Sequence, residues 1–218
     1  MSAAGTATLL LARHGRTAYN QAGLIQGSSP VPLDETGLEQ ARRLAAHIAA
    51  LEHPPTRIWS SDLLRAEQTA AAVAEALAKT LRLTVQTDAR LREQNFGEYE
   101  GRSLKEVLGS DPEFKRAWTG DPALLHPPGG ESFAQVTGRL LDWFAEARPR
   151  QPGEVILAVS HGLALTALLC ALTRTPPREA WTDRLFQHVN ASSTELRLDP
   201  TSGQVLAYGE VQSGYLNG

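Results

Sequence analysis

Short apolar runs alternate with longer helical patterns along this chain, and this alternation constrains the fold more than any other feature of the sequence. The first run covers residues Ala7 to Ala12, and later runs end at Trp59, Gln86 and Val159. Between the runs, apolar residues recur at helical spacing, as they do after Thr36. Strands that alternate with helices form βα units. We therefore predict a largely parallel sheet with helices packed against it.

Three segments carry signals for the start of a helix. Thr36 and Ser132 each stand three residues before a Glu or Gln, which is the spacing of a capping box. Asp62 is expected to cap an Ala-rich helix that runs to about Lys79. The segment Leu163–Leu172 is apolar on every side, which predicts a buried helix.

The remaining runs predict the other strands of the sheet. The strands expected after the first one cover residues 57–59, 81–86 and 154–159. Residues 193–198 and 204–208 are separated by a turn-forming stretch, and we interpret them as a closing hairpin at an edge of the sheet.

Length, charge and cysteine content exclude several classes of protein. The chain has 218 residues, of which 42% are hydrophobic, so we expect a single domain over residues 1–218. A net charge of −3 argues against a nucleic-acid binder. No run of 18 apolar residues exists that could span a membrane. The first apolar run lacks a basic region before it and a cleavage site after it, so it is interpreted as a strand and not as a signal peptide. Cys170 is the only cysteine, which favours a cytoplasmic location.

The helical pattern weakens between Asn95 and Gly130. Asp-Pro pairs and the sequence Pro127-Pro128-Gly129-Gly130 interrupt this segment. We interpret residues 95–130 as a partly helical insertion over the sheet. Such an insertion is either a lid over a ligand site or an ordinary surface excursion, and the sequence leaves both open.

Polar clusters follow four of the predicted strands. They are Arg13-His14-Gly15-Arg16-Thr17, Ser60-Ser61-Asp62-Leu63-Leu64-Arg65, Arg92-Glu93 and Ser160-His161-Gly162. Because the carboxyl ends of parallel strands lie at one edge of a sheet, residues distant in sequence are expected to converge there. One histidine after a strand is more often a structural hydrogen-bonding group, whereas four clusters at equivalent strand ends predict a functional site.

These clusters supply two histidines, two or three arginines and one carboxylate that suits a catalytic role, that of Glu93. Arginine presents a rigid fork of donors that matches phosphate oxygens. Imidazole can attack phosphorus or move a proton, and Glu93 could deliver a proton to a leaving oxygen. A metal site is the first alternative, since two histidines and a carboxylate are a known ligand set. Arg13 and Arg65 argue against it, because fixed cations repel a divalent ion and attract an anion. The residues therefore predict phosphoryl transfer without a metal or a cofactor.

Four motifs give the chain a specific resemblance. They are Leu11-Ala12-Arg13-His14-Gly15-Arg16-Thr17 with Asn20 behind it, Ser60 to Ala70, Leu91 to Gly101, and Val159-Ser160-His161-Gly162. In this order they resemble the signature of the histidine phosphatase superfamily, in its phosphoglycerate-mutase-like branch. Gln26-Gly27, Pro32-Leu33, Thr36-Gly37 and Pro128 to Ser132 also fall where the family has similar residues, whereas Ser28-Ser29 stand where relatives often carry an acid. The resemblance and the alternation together predict an α/β fold, a three-layer α/β/α sandwich with a mostly parallel sheet and a partly helical lid.

The resemblance implies a role for each matched residue. His14 is the nucleophile, and Arg13, Arg65 and His161 surround the phosphoryl group. Glu93 protonates the departing oxygen and then assists water. The residues expected to bind substrate are Arg13, Thr17, Asn20, Gln26, Gly27, Arg65 and Gly162. Arg16 is interpreted as a surface charge, and the histidines at positions 47, 53, 126 and 188 are assigned no chemistry.

The expected function is hydrolysis of small phosphorylated metabolites through a phosphohistidine intermediate. Residues 98–121 hold six acidic and four basic side chains, a net −2, which suits a bisphosphate poorly and favours a phosphatase over a mutase. Phosphoglycerate-mutase-type transfer and a non-catalytic phospholigand-binding relative remain the alternatives. The substrate is not readable from the sequence, and we expect a monomer or a homodimer.

Overall fold

The structure of the protein is a computed structural model, which describes residues 5–78 and 83–217. The strands are β1 (Ala7–Arg13), β2 (Arg57–Ser60), β3 (Val85–Thr87), β4 (Val155–Ser160), β5 (Ser193–Leu198) and β6 (Val205–Tyr208). The helices are α1 (Ala18–Ala22), α2 (Glu35–Ala49), α3 (Leu64–Leu77), α4 (Leu104–Ser110), α5 (Pro112–Gly120), α6 (Phe133–Ala147), α7 (Gly162–Thr173) and α8 (Pro177–Thr182). None of the helices in these two ranges is long and apolar enough to cross a membrane.

The described strands form a single sheet in the order β3-β2-β4-β1-β5-β6. Strands β3, β2, β4 and β1 pair in parallel, and β5 and β6 pair antiparallel at the other side. The predictions of a largely parallel sheet and of a closing hairpin at its edge are therefore confirmed. The third strand begins at Val85, later than predicted, and Leu81 and Arg82 lie outside the described residues.

Alternate residues of β1 face two separate hydrophobic cores. Leu9 and Leu11 pack in one core with buried residues of α6 and α7, and Leu10 and Ala12 pack in the other with buried residues of α2 and α3. Strand β4 is buried along its whole length, as expected for a central parallel strand covered on both faces. This arrangement confirms the three-layer α/β/α sandwich. Residues 163–170 of α7 are all buried, as their apolar pattern predicted.

Two of the three predicted helix starts are wrong. Helix α2 is capped by Asp34, whose carboxylate accepts a hydrogen bond from the amide of Gly37 at 2.7 Å. Thr36 already lies inside the first turn, and its hydroxyl accepts a hydrogen bond from Arg16. Asp34, two positions before Thr36, therefore caps the helix in place of the Thr36 capping box that the sequence predicted. The capping box between Ser132 and Gln135 is confirmed.

Helix α3 begins at Leu64 without a side-chain cap, so the prediction that Asp62 caps it is wrong. The Asp62 carboxylate instead accepts two hydrogen bonds from Arg92, both at 2.6 Å. A bidentate pair of this kind is stronger than a neutral hydrogen bond to an amide, and Arg92 comes from a segment 30 residues away. The described helix ends at Leu77, and Lys79 lies outside the described residues.

The segment 95–130 is partly helical, as predicted, and contains α4 and α5. Its buried residues Phe96, Val107, Phe114 and Leu125 belong to the same core as α6 and α7. The segment is thus anchored to the sandwich by apolar packing.

Candidate active site

A cavity of about 670 Å³ opens at the edge of the sheet where β1, β2, β3 and β4 end. It brings together most of the predicted site residues. Those that line it are Arg13, His14, Asn20, Gln26, Gly27, Arg65, Glu93 and Gly162. The ring of His161 lies beside it, with its centroid 5.1 Å from that of His14. The convergence expected from the parallel topology therefore holds for these residues.

Thr17, Arg16 and Arg92 do not line this cavity. Thr17 is fully buried and caps α1, where its hydroxyl accepts from the amide of Asn20 and donates to the side chain of Gln26 at 2.8 Å. This hydroxyl therefore holds two lining residues in place, which differs from the direct phosphate contact implied by the resemblance. Arg16 is paired with Asp34 at 2.9 Å, and Arg92 is paired with Asp62.

His14 lies at the end of β1 with one ring nitrogen fixed and the other directed to the basic side chains. Its Nδ1 donates a hydrogen bond to the carbonyl oxygen of Gly15 at 2.7 Å. The proton is therefore on Nδ1, and the lone pair is on Nε2, where it accepts a hydrogen bond from Nε of Arg65 at 3.3 Å. Burial lowers the pKa of His14 well below its ordinary value, and the charges of Arg65 and Arg13 lower it further. The imidazole is thus neutral and carries the lone pair that a nucleophile needs.

The guanidinium of Arg65 is buried and held by two backbone carbonyl groups. Nη1 donates to Ser29 at 3.0 Å, and Nη2 donates to Gly27 at 2.8 Å. The loop that carries these carbonyls is fixed in turn by Glu100, which accepts from the Ser28 amide and the Ser29 hydroxyl. Burial lowers the pKa of Arg65 to about 10, which leaves the side chain charged at neutral pH.

Several buried nitrogen atoms beside His14 have no hydrogen-bond partner within the part of the chain that the structure describes. They are Nε of Arg13 and both ring nitrogens of His161. Burial and the nearby cations lower the pKa of His161 well below its ordinary value, so its ring is neutral and can donate from one nitrogen. Buried polar atoms are rarely left without partners. Their position beside two arginines suits an anion that accepts several hydrogen bonds.

Glu93 lies after β3 and reaches the first turn of α7. Its carboxylate accepts hydrogen bonds from the amides of Gln94 and Ala164 at 3.0 Å and of Leu163 at 3.3 Å. Helix α7 has no side-chain cap from His161, so Glu93 satisfies amide groups that such a cap would otherwise bind. It is the only carboxyl group among the described residues that line the cavity.

Arg139 on α6 is a functional candidate that the sequence did not reveal. Its guanidinium donates to the carbonyl oxygens of Arg90, Arg92 and Glu93 at 2.7–2.9 Å and to both carboxylate oxygens of Glu131. It therefore fixes the backbone that carries the Glu93 side chain. The only available signal was Glu131, in the Pro128–Ser132 stretch that resembles the family.

His188 is a second residue to which the sequence assigned no chemistry. Its side chain is buried at the cavity, where Nδ1 donates to Phe186 and Nε2 accepts from the Thr194 hydroxyl, both at 3.0 Å. Burial lowers its pKa to about 4. Its carbonyl oxygen accepts a 2.7 Å hydrogen bond from Arg13. The loop before β5 reaches the site because β5 is antiparallel to β1 and its amino end lies at the same edge.

The rest of the cavity lining is mainly apolar. Its aromatic members are Phe96, Trp118, Trp181 and Phe186, which we call the aromatic wall. No group of three metal-ligating His, Cys, Asp or Glu side chains occurs among residues 5–78 and 83–217. The site as a whole combines a neutral imidazole, buried cations and one carboxyl group, which is the donor set of an anion-processing site.

Fold and site together define a phosphoryl-transfer protein of the histidine phosphatase class. The profile described as "Histidine phosphatase superfamily (branch 1)" matches residues 9–211, and the chain belongs to this superfamily. The chain is 32% identical to phosphoserine phosphatase 1 of Hydrogenobacter thermophilus, over 91% of this chain and 90% of that protein. It is 36% identical to "Probable phosphoglycerate mutase GpmB" of Yersinia pestis, over 76% of this chain and 74% of that one.

Solved structures agree with this assignment. Bacillus stearothermophilus YhfR has a TM-score of 0.83 at 31% identity, with 96% of this chain and 99% of that chain covered. The chain is also 34% identical to "Metal-independent phosphoserine phosphatase" of Arabidopsis thaliana, over 76% of this chain and 68% of that protein. These comparisons confirm the predicted family and the predicted class of enzyme, a metal-independent histidine phosphatase.

Proposed function

We propose that the protein hydrolyses small phosphomonoesters, with His14 as the group that accepts the phosphoryl moiety. One observation carries this assignment of roles. Nε2 of His14 bears a lone pair at the cavity, because the ring proton is on Nδ1, which donates it to the carbonyl oxygen of Gly15. Nε2 also lies beside buried guanidinium groups. A neutral nucleophile held among fixed cations is what attack on a phosphate dianion requires.

In the first step, Nε2 attacks phosphorus and the bond between phosphorus and the ester oxygen breaks. Arg13, Arg65 and His161 donate hydrogen bonds to the equatorial oxygens as negative charge develops on them. The proton carried by Glu93 passes to the departing oxygen, so that an alcohol leaves and Glu93 becomes a carboxylate. Support for this role comes from the place of Glu93 as the only carboxyl group among the described lining residues.

In the second step, a water molecule attacks the phosphohistidine. Glu93 accepts a proton from this water, the bond between Nε2 and phosphorus breaks, and inorganic phosphate is formed. The electron pair of the broken bond returns to Nε2, which restores the neutral imidazole. The hydrogen bond from Nδ1 to Gly15 keeps the ring oriented throughout both steps.

We further propose that Asn20, Gln26, Gly27 and Gly162 contact the substrate, since all four line the cavity. Thr17 contributes through the hydrogen bonds that hold Asn20 and Gln26. Residues 95–130 form the lid of a single domain, an assignment supported by the four residues Phe96, Leu104, Trp118 and Thr119 that they contribute to the lining.

A mutase differs from a phosphatase only in the acceptor of the second step, which is a substrate hydroxyl and not water. The net charge of −2 over residues 98–121 favours water, because a bisphosphate would be repelled by an acidic lid. A non-catalytic binder would bind phosphate esters without releasing phosphate. The absence of turnover in the presence of measurable affinity would identify that alternative. The substrate partner is a small phosphorylated metabolite, the expected location is the cytoplasm, and the assembly is a monomer or homodimer.

The proposed role of His14 is tested by trapping the intermediate. Rapid acid-free quench with a ³²P-labelled substrate should yield an acid-labile, alkali-stable phosphoenzyme in the natural protein and none in His14→Ala. His53→Ala is a matched control, because the His53 side chain is exposed and lies outside the cavity. Full turnover by His14→Ala, or labelling that persists in it, would contradict the assignment.

A further inference from the structure

We propose that the alcohol part of the substrate is bulky and mainly apolar, with a flat ring that packs on the aromatic wall. The proposal rests on the phosphatase function proposed above and concerns only the leaving group. Its basis is the composition of the cavity lining outside the residues that meet the phosphoryl group. Nine residues of that lining are apolar, namely the four rings of the wall with Leu24, Ile25, Leu104, Leu163 and Ala180, and the polar ones are Thr119, Thr166, Thr182, Arg184, Gln187 and His188.

Three rings of the aromatic wall, those of Phe96, Trp118 and Trp181, pack against one another or against Phe114. The ring of Trp118 stacks on Phe114 with centroids 5.8 Å apart, and it meets Phe96 at 6.2 Å. Trp181 meets Trp118 edge-on at 5.6 Å, and its Nε1 donates to the Trp118 carbonyl oxygen at 2.5 Å. These contacts join α5 to α8. A preformed wall binds a flat ligand without the entropy cost of ordering its own side chains.

The cavity lining offers few charged groups to a small zwitterionic leaving group. Glu93 is the only carboxyl group among the described lining residues, and its oxygens already accept hydrogen bonds from three backbone amides. An alcohol that carries an ammonium group, such as serine, would have Glu93 as its one acidic partner in the lining, and would share its oxygens with these amides. The charged side chain that lines the cavity apart from the residues assigned to phosphoryl transfer is Arg184, which would repel an ammonium and attract a carboxylate, whereas an uncharged leaving group meets neither effect.

The size of the cavity agrees with a large leaving group. Its volume of about 670 Å³ falls in the range typical of pockets for drug-sized ligands. A phosphate ester of a two- or three-carbon alcohol would leave most of this apolar surface in contact with water. A ring system would displace that water and bury the indole faces.

The experiment compares kcat/KM for three esters of primary alcohols, namely naphthylmethyl phosphate, ethyl phosphate and O-phosphoserine. Since all three release a primary alkoxide, differences report mainly the fit of the leaving group. We expect naphthylmethyl phosphate to exceed each of the other two by about tenfold or more. Trp118→Leu and Trp181→Leu should reduce this preference to a few-fold. Leu38→Ala, an exposed position on α2, is the matched control and should keep the preference.

The affinities of two phosphonates, which are not hydrolysed, test the same preference for an aromatic group. The proposal is therefore tested even if no ester is turned over. Naphthylmethylphosphonate should bind at least tenfold more tightly than ethylphosphonate in calorimetry, and Trp118→Phe should keep most of this difference if the variant to Leu proves unstable. Equal or inverted preferences in both measurements would overturn the proposal. Absence of phosphate release from every ester, including p-nitrophenyl phosphate, together with the expected phosphonate preference, would instead contradict the proposed phosphatase function alone.

Discussion

Replacing Arg139 by Lys should misplace Glu93 while it keeps a positive charge beside Glu131. The guanidinium donates two hydrogen bonds to the Glu131 carboxylate, at 2.8 and 2.9 Å. It donates three more to the carbonyl oxygens of Arg90, Arg92 and Glu93, at 2.8, 2.7 and 2.9 Å. The single nitrogen of a lysine cannot span the carboxylate and all three carbonyl groups. The variant therefore releases the backbone that carries the Glu93 side chain.

The size of the effect follows from these contacts. A hydrogen bond that involves a charged group contributes about 1.5–3 kcal/mol, and water can replace part of it because the Arg139 side chain is 17% exposed. We expect the variant to lose about 2–4 kcal/mol of unfolding free energy. A displacement of about 1 Å in a catalytic group can cost about 10²-fold in rate. We expect that loss in kcat/KM on an alkyl phosphate and a clearly smaller loss on p-nitrophenyl phosphate, whose leaving group needs little help from an acid.

Urea denaturation and steady-state kinetics on both substrates measure these two effects. Arg148→Lys is the matched control, because Arg148 donates in the same way to the carbonyl oxygens of Pro200 and Thr201, at 2.8 Å each, and does not line the cavity. It should lower stability without changing the ratio between the substrates. In a Glu93→Gln background, Arg139→Lys should slow the reaction little further. Equal losses on both substrates, or full additivity with Glu93→Gln, would refute the positioning role.

Three further predictions concern the site itself. Glu93→Gln should lower kcat/KM about 10²–10⁴-fold on sugar phosphates and clearly less on p-nitrophenyl phosphate, and equal slowing of single-turnover phosphorylation on both would exclude it as the proton donor. Arg65→Lys should lower kcat about 10²–10³-fold, since a lysine cannot bind Gly27, Ser29 and a phosphate oxygen together, and a near-normal rate on several esters would contradict this. His188 has a pKa of about 4 when folded and an ordinary value near 6.5 when unfolded, so the unfolded chain takes up a proton first as the pH falls. The unfolding free energy from urea denaturation should therefore decrease between pH 6.5 and 4, by about 3 kcal/mol from this group, and change little through it above pH 6.5. An equal decrease in His188→Gln would refute the assignment.

The parts of the fold that local patterns determine were predictable from the sequence. The apolar runs located β1 and β4, because a strand buried on both faces must be apolar throughout. The short run ending at Trp59 located β2, which alternates between buried and half-buried residues. The parallel topology then placed His14 and Glu93 at one edge without any knowledge of side-chain positions. The capping box at Ser132 was also readable, because both of its partners lie within four residues.

Contacts between distant segments were not predictable in this way. Asp62 was assigned to a helix start, but Arg92, which is 30 residues away, binds its carboxylate. Arg139 acts through backbone carbonyl groups 46–49 residues away, and a carbonyl group is present at every position of any sequence. His188 has no motif around it, and its place at the site follows from the antiparallel direction of β5, which the local pattern does not specify.

The central position of β1 in the sheet has a consequence for the order in which the protein can be completed during synthesis. Strand β1 is made before the other described strands, yet it pairs with β4 and β5, whose residues emerge from the ribosome about 150 to 190 positions later. The backbone oxygen of His14 accepts its hydrogen bonds from Ala191 and Asn190. A nascent chain that has not yet released these residues therefore lacks the β5 pairing of β1 and both hydrogen bonds to the His14 oxygen. Phosphatase activity should appear only after residues 190–198 have left the ribosome, which makes activity a direct measure of completed pairing at β1.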